Sequence, residues 1–89
     1  MNTTNIHETN LLLDSIFNKY GLYLIKKKFN SFQYTKFGDE TSYFDIEILN
    51  DKINVCVPIK NSSFQFNTSF DDFIGAITYV ENRLIDYVQ

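Results

Sequence analysis

The segment from residue 43 to residue 59 constrains the fold of this chain more than any other part. Two runs of alternating apolar and polar residues flank Asn50 and Asp51, and both residue types tolerate the positive φ of a two-residue hairpin turn. A slip of one residue would set apolar residues against polar ones, so the pattern predicts the register as well as the hairpin. The predicted apolar pairs are Ile48 with Ile53, Ile46 with Val55, and Phe44 with Val57.

The residues before this hairpin are also of strand-forming types. Residues 22–29 and 32–37 are rich in β-branched and aromatic side chains, and Asn30-Ser31 between them is a candidate turn. The pattern leaves two arrangements open. The segment forms either a hairpin or one long, bent strand.

The turn around Gly38, Asp39 and Glu40 decides which side chains of the preceding strand face the core. A three-residue loop at Gly38 places Phe32 and Tyr34 on the apolar side, opposite Ile46 and Phe44. A four-residue loop would place Gln33 and Thr35 there instead. The shorter loop is predicted, because it buries rings rather than an amide and a hydroxyl.

The start of the chain predicts a helix over residues 6–20. Asn5 and Glu8 have the spacing of a capping box, and Gly21 follows the last helical residue, where a left-handed conformation ends many helices. The apolar side chains recur at spacings of three and four. They are Leu12, Leu13, Ile16, Phe17 and Tyr20.

The end of the chain predicts a short strand over residues 64–66 and then a second helix. Ser69 is a candidate cap, and Asp71 and Asp72 suit the first turn of a helix that starts there. One apolar stripe consists of Phe70, Phe73, Ile77, Val80, Leu84 and Tyr87. Ile74, Ile85 and Val88 widen it, which favours packing across a sheet.

These elements predict an α+β fold in one domain of 89 residues, with residues 1–4 disordered. An N-terminal helix, an antiparallel meander of three to five strands and a C-terminal helix follow one another, and both helices pack on one face of the sheet. The other face stays open to water, as antiparallel sheets allow. It is predicted to carry Lys26, Lys28, Gln33, Thr35, Tyr43, Asp45, Glu47, Asn54 and Cys56.

Composition argues against an enzyme. The single histidine, His7, belongs to a helix start, and the single cysteine, Cys56, faces Asp45, which would raise its pKa. The three glycines are dispersed, so no phosphate-binding loop forms, and neither a metal site nor a cofactor is expected. No targeting segment or membrane span is visible, and one free thiol suits a reducing compartment, so a cytoplasmic location is predicted.

Nucleic-acid binding is the alternative function. Lys26, Lys28 and the neighbouring ring of Tyr34 could bind a single strand by charge and stacking. The order of elements also resembles that of the double-stranded-RNA-binding domain. The lysine-rich entrance to that family's second helix is replaced here by Asp71 and Asp72, which would repel phosphate.

Binding to a protein is the leading hypothesis, because the net charge of −3 and the open polar face suit an inhibitor, immunity protein or adaptor. The predicted partner-binding residues are Asp39, Glu40, Tyr43, Asp45 and Glu47. The chain is rich in Asn, Ile and Phe and, in overall character, resembles phage-encoded inhibitors of host defence, including anti-CRISPR proteins. That resemblance implies a partner in a nucleic-acid-processing complex. A homodimer that pairs through the apolar stripe of the last helix is a third hypothesis.

Overall fold

The protein is an antiparallel five-stranded sheet with one helix before it and one after it, as seen in a computed structural model that describes residues 6–36, 42–59 and 64–88. The elements are α1 (Ile6–Lys19), β1 (Leu22–Lys27), β2 (Ser31–Lys36), β3 (Phe44–Ile48), β4 (Ile53–Pro58), β5 (Gln65–Phe70) and α2 (Phe73–Val88). The strands lie in chain order; α1 packs on β1, and α2 packs on β4 and β5. The predicted fold class is confirmed.

The central hairpin has the predicted register. Ile46 pairs with Val55 and Ile48 with Ile53, and the Leu49 N–H donates to the Lys52 carbonyl at 2.9 Å. On the other side of β3, the predicted pairs of Phe32 with Ile46 and of Tyr34 with Phe44 are also confirmed. One face of β2, β3 and β4 is therefore a continuous apolar surface.

The N-terminal strand segment is a hairpin, which settles the alternative that the sequence leaves open. The Lys28 N–H donates to the Ser31 carbonyl at 2.8 Å, so the turn consists of Phe29 and Asn30, one residue earlier than predicted. Asn30 has a second partner there: its carbonyl accepts from the Ile48 N–H and its side-chain amide donates to the Ile48 carbonyl. These two bonds to β3 are the physical reason for the shift.

The end of α1 is as predicted, and the start of α2 is not. Gly21 has a φ of 83°, the left-handed conformation expected after a helix. Ser69 and Phe70 belong to β5, and the helix begins only at Phe73. Its cap is Asp72, whose carboxylate accepts from the Gly75 N–H at 2.6 Å. Strand pairing with β4 competes with the local helix signal at Ser69 and prevails.

Aromatic rings join the two helices to the sheet in the core. Phe17 of α1 stacks on Tyr34 of β2 with ring centroids 4.1 Å apart, and Phe44 meets Phe17 edge-on at 5.3 Å. Tyr87 of α2 contacts Phe44 edge-on, also at 5.3 Å. The Tyr34 hydroxyl donates to the Asp14 carboxylate at 2.6 Å, so the polar end of this buried ring is satisfied.

The apolar stripe of α2 is narrower than predicted. Its buried residues are Ala76, Val80, Leu84 and Tyr87. Val88 packs against the core, but Ile74 is 79% exposed and Ile85 is also exposed. The last two lie three helical turns apart on one line of the helix, and that line faces away from β4 and β5.

Candidate binding face of the sheet

The side of the sheet that faces away from both helices is polar, and we call it the polar face. Its side chains alternate with buried ones along β3 and most of β4, and the strand register extends them into two rows across the sheet. The first row is Lys26, Gln33, Asp45, Cys56 and Asn67. The second row is Ser31, Glu47, Asn54 and Ser69.

Asp45 lies at the centre of the first row and has both carboxylate oxygens engaged. Ser31 Oγ donates to Oδ1 at 2.9 Å, and Gln33 Nε2 donates to Oδ2 at 3.2 Å. Both donors are on β2, so the carboxylate is held toward that strand. A carboxylate oxygen accepts more than one hydrogen bond, so Asp45 keeps acceptor sites for a ligand.

Glu47 heads a chain of hydrogen bonds that crosses three strands. Asn54 Nδ2 donates to Glu47 Oε1 at 3.0 Å, and Asn54 Oδ1 accepts from Ser69 Oγ at 2.6 Å. This chain fixes the rotamer of the long Glu47 side chain. A side chain that is ordered beforehand loses less entropy when it binds a partner.

Cys56 lies on β4 directly opposite Asp45 and is unsuited to nucleophilic chemistry. Burial raises the pKa of its thiol most, and the charges of Asp45 and Glu47 raise it further. The Sγ–H donates to the Asn67 side-chain carbonyl. Because the thiolate is the reactive species, these surroundings keep the group in its unreactive form at neutral pH.

The predicted placement of Asp45 and Glu47, side by side on the face opposite the helices, is confirmed. Tyr43, one residue before β3, is half-buried. Asp39 and Glu40 lie outside the described residues, as do residues 1–4 and the loop at Gly38. That any of these residues binds a partner stays a prediction.

One residue predicted for the open face, Thr35, is buried, and so is a ring that the nucleic-acid alternative would use. Thr35 is 2% exposed, and its hydroxyl donates to the Ser42 carbonyl at 2.6 Å, so the chain entering β3 lies against it. Tyr34 is fully buried on the helix side, as its predicted pairing with Phe44 requires, so its ring is not accessible for the base stacking that the nucleic-acid alternative would need. Lys26 and Lys28 are exposed, as that alternative requires.

The prediction missed the contribution of β5 to the polar face. Asn67 and Ser69 lie there because β5 runs to Phe70, whereas the predicted strand stops at residue 66. The alternation of polar and larger side chains over residues 65–70 is the signal that could have found them.

The described residues offer neither a metal-ion cluster nor a membrane-spanning helix. Within the described ranges, no group of three or more His, Cys, Asp or Glu side chains is placed to hold a metal ion. Neither of the helices in those ranges is long and apolar enough to cross a bilayer. Comparisons with protein-family models, with curated proteins and with solved structures gave no match.

Proposed function

We propose that this protein is a non-enzymatic binding module that attaches to a larger protein through the polar face and inhibits it. The observation that carries the proposal is the ordering of Asp45 and Glu47 by hydrogen bonds from neighbouring strands. Two carboxylates in fixed positions form a good acceptor for arginine and lysine side chains. The area around them is a broad sheet surface, which suits a protein partner.

On the helix side, the pocket that the described residues line is small. A pocket of about 150 Å³ lies there, lined by Pro58, Phe66, Arg83 and Tyr87 among others. Pockets that enclose small molecules generally measure about 300–1,000 Å³. This pocket is below that range and is therefore too small to enclose a ligand of ordinary size.

The chemistry of the polar face indicates the kind of partner. Its central charges are the acidic ones, and Lys26 lies at the β1 end of the first row. A basic surface that normally holds nucleic-acid phosphates would accept ordered carboxylates in their place. An inhibitor that occupies such a surface of a nucleic-acid-processing protein therefore agrees with the face and with the chain's net charge of −3.

The test is affinity capture from the native host with two matched variants. Asp45→Asn/Glu47→Gln removes both charges and keeps the size of each side chain. Asp71→Asn/Asp86→Asn removes the same charge from exposed positions outside the polar face. We expect the wild type and the second variant to capture the same protein, and the first variant to bind it at least about 100-fold more weakly, since hydrogen bonds to charged groups contribute about 1.5–3 kcal/mol each.

Equal affinity of a folded Asp45→Asn/Glu47→Gln variant would exclude the polar face as the binding site. The nucleic-acid alternative predicts that a different pair of substitutions abolishes binding. Binding of a single-stranded oligonucleotide at low salt would then be lost in Lys26→Gln/Lys28→Gln and kept in Asp45→Asn/Glu47→Gln.

A further inference from the structure

Strand β5 is at the edge of the sheet, and the direction of its main-chain groups follows from one hydrogen bond. The Ile59 N–H donates to the Phe64 carbonyl at 3.1 Å, and β4 and β5 pair without a shift of register from there to Phe70. In an antiparallel ladder every second residue bonds to the same neighbour. Phe64, Phe66, Thr68 and Phe70 therefore bond to β4, while the N–H and C=O groups of residues 65, 67 and 69 point away from the sheet.

The other edge strand, β1, is protected against pairing with an additional strand, whereas β5 is not. A bulge at Ile25 interrupts β1, and three consecutive lysines, Lys26, Lys27 and Lys28, end that edge. Both features discourage the addition of another strand. The segment Gln65–Phe70 has no charged residue, no proline and no bulge.

Exposed rings lie beside this unprotected edge. Phe66 is 48% exposed and Phe64 is 74% exposed, both on the helix side of β5. The Arg83 guanidinium lies over the Phe66 ring at 5.3 Å and covers part of it. An additional strand next to β5 would remove further apolar area of these rings from water.

We propose that the occupant of this edge is a second copy of the chain, paired antiparallel through β5 around a two-fold axis at Asn67. In this register Asn67 pairs with Asn67 of the second copy, and Gln65 pairs with Ser69. All outward-pointing N–H and C=O groups of residues 65, 67 and 69 then bond across the axis. On the helix side, Phe66 meets Thr68 and Phe64 meets Phe70.

Self-pairing is favoured by the composition of β5. Like charges directly opposite each other destabilise strand pairs, and this strand brings none. The same register places the ring of Phe64 beside that of Phe70, and it pairs the uncharged polar side chains of residues 65, 67 and 69 with one another on the polar face. A two-fold contact of one patch with itself is the commonest route to a soluble dimer.

The dimer would be a ten-stranded sheet in which both polar faces lie on the same side. At about 4.8 Å between strands, the two β3 strands, each with an Asp45 and a Glu47, lie about 24 Å apart. This inference does not depend on the proposed function.

The test is sedimentation equilibrium over a range of concentrations with three variants. Asn67→Lys places two like charges opposite each other at the two-fold axis. Asn67→Pro removes an N–H group that would bond across the axis. Because this N–H points away from β4, an edge strand tolerates the proline. Ile74→Lys places a charge on the exposed line of α2 and tests pairing through that helix. We expect twice the chain mass of 10.5 kDa for wild type and Ile74→Lys, and at least tenfold weaker association for both Asn67 variants.

Amide hydrogen exchange of the wild type adds a readout that requires no variant. We expect the amides of residues 65, 67 and 69 to become protected as the protein concentration rises, while those of Phe66 and Thr68 are protected at every concentration. A wild-type protein that stays monomeric up to about millimolar concentration overturns the proposal. So does a dimer that Ile74→Lys dissociates and Asn67→Lys leaves intact.

Discussion

Replacing Phe17 by alanine is expected to lower the free energy of unfolding by about 3–5 kcal/mol. The ring is fully buried, stacks on Tyr34 at 4.1 Å between centroids and meets Phe44 edge-on at 5.3 Å. The alanine variant loses the buried apolar area of a large ring, two aromatic contacts and the packing of α1 against β2. Domains of this size are stable by only about 5–15 kcal/mol, so the loss is a large part of the total.

Urea denaturation followed by circular dichroism measures this effect, and Phe29→Ala is the matched control. Phe29 lies at the tip of the β1–β2 turn and is 86% exposed, so the same chemical change there is expected to alter the unfolding free energy by no more than about 0.5 kcal/mol. Equal losses from both variants would contradict the assignment of Phe17 to the core.

Stability is expected to fall steeply above pH 10 because of Tyr34. Burial raises the pKa of its phenol above the ordinary value of 10.0, and the hydrogen bond and negative charge of Asp14 raise it further. Above pH 10 the unfolded chain therefore loses this proton while the folded chain keeps it. The contribution of Tyr34 to stability is complete below pH 10 and falls by about 1.4 kcal/mol per pH unit above it.

The Tyr34→Phe variant isolates this effect, because phenylalanine keeps the ring and lacks the ionisable hydroxyl. Urea denaturation of both proteins between pH 9 and pH 11.5 is expected to give a shallower loss of stability in the variant. Other groups that titrate in this range are present in both proteins and cancel in the comparison. Parallel curves would show that the Tyr34 hydroxyl is not buried against Asp14.

The centre of the sheet could be predicted from sequence because its signal is local and periodic. Alternation along residues 43–59 allows one register only, and the structure has that register. The same logic assigned Phe32 and Tyr34 to the core through their partners on β3. Asp45 and Glu47 lie on the opposite face because successive side chains of a strand point to alternate faces of the sheet.

The start of α2 could not be predicted in the same way, because two physical effects compete there. A serine followed by two acidic residues is typical of a helix start, yet Phe70 pairs with Ile53 and Ser69 with Asn54 in the sheet. Those pairings depend on residues distant in the sequence, and they displace the cap to Asp72.

Part of the candidate site could not be predicted from the sequence for the same reason, because it depends on strand pairing between distant residues. Ser69 completes the hydrogen-bond chain from Glu47 through Asn54, and Asn67 accepts from Cys56. Neither contribution follows from sequence unless β5 is known to extend to Phe70. The burial of Thr35 likewise depends on the carbonyl of Ser42, which reaches it through the connection to β3.

Water reaches the side of β3 that carries Asp45 and Glu47, while the helices cover the side that carries Ile46. Paramagnetic relaxation by an inert, soluble gadolinium chelate tests this placement residue by residue in nuclear magnetic resonance spectra. We predict strong relaxation of side-chain protons of Asp45 and Glu47 and weak relaxation of the methyl groups of Ile46 and Val55. Strong relaxation of the Ile46 and Val55 methyl groups, with the two acidic side chains protected, would contradict the account.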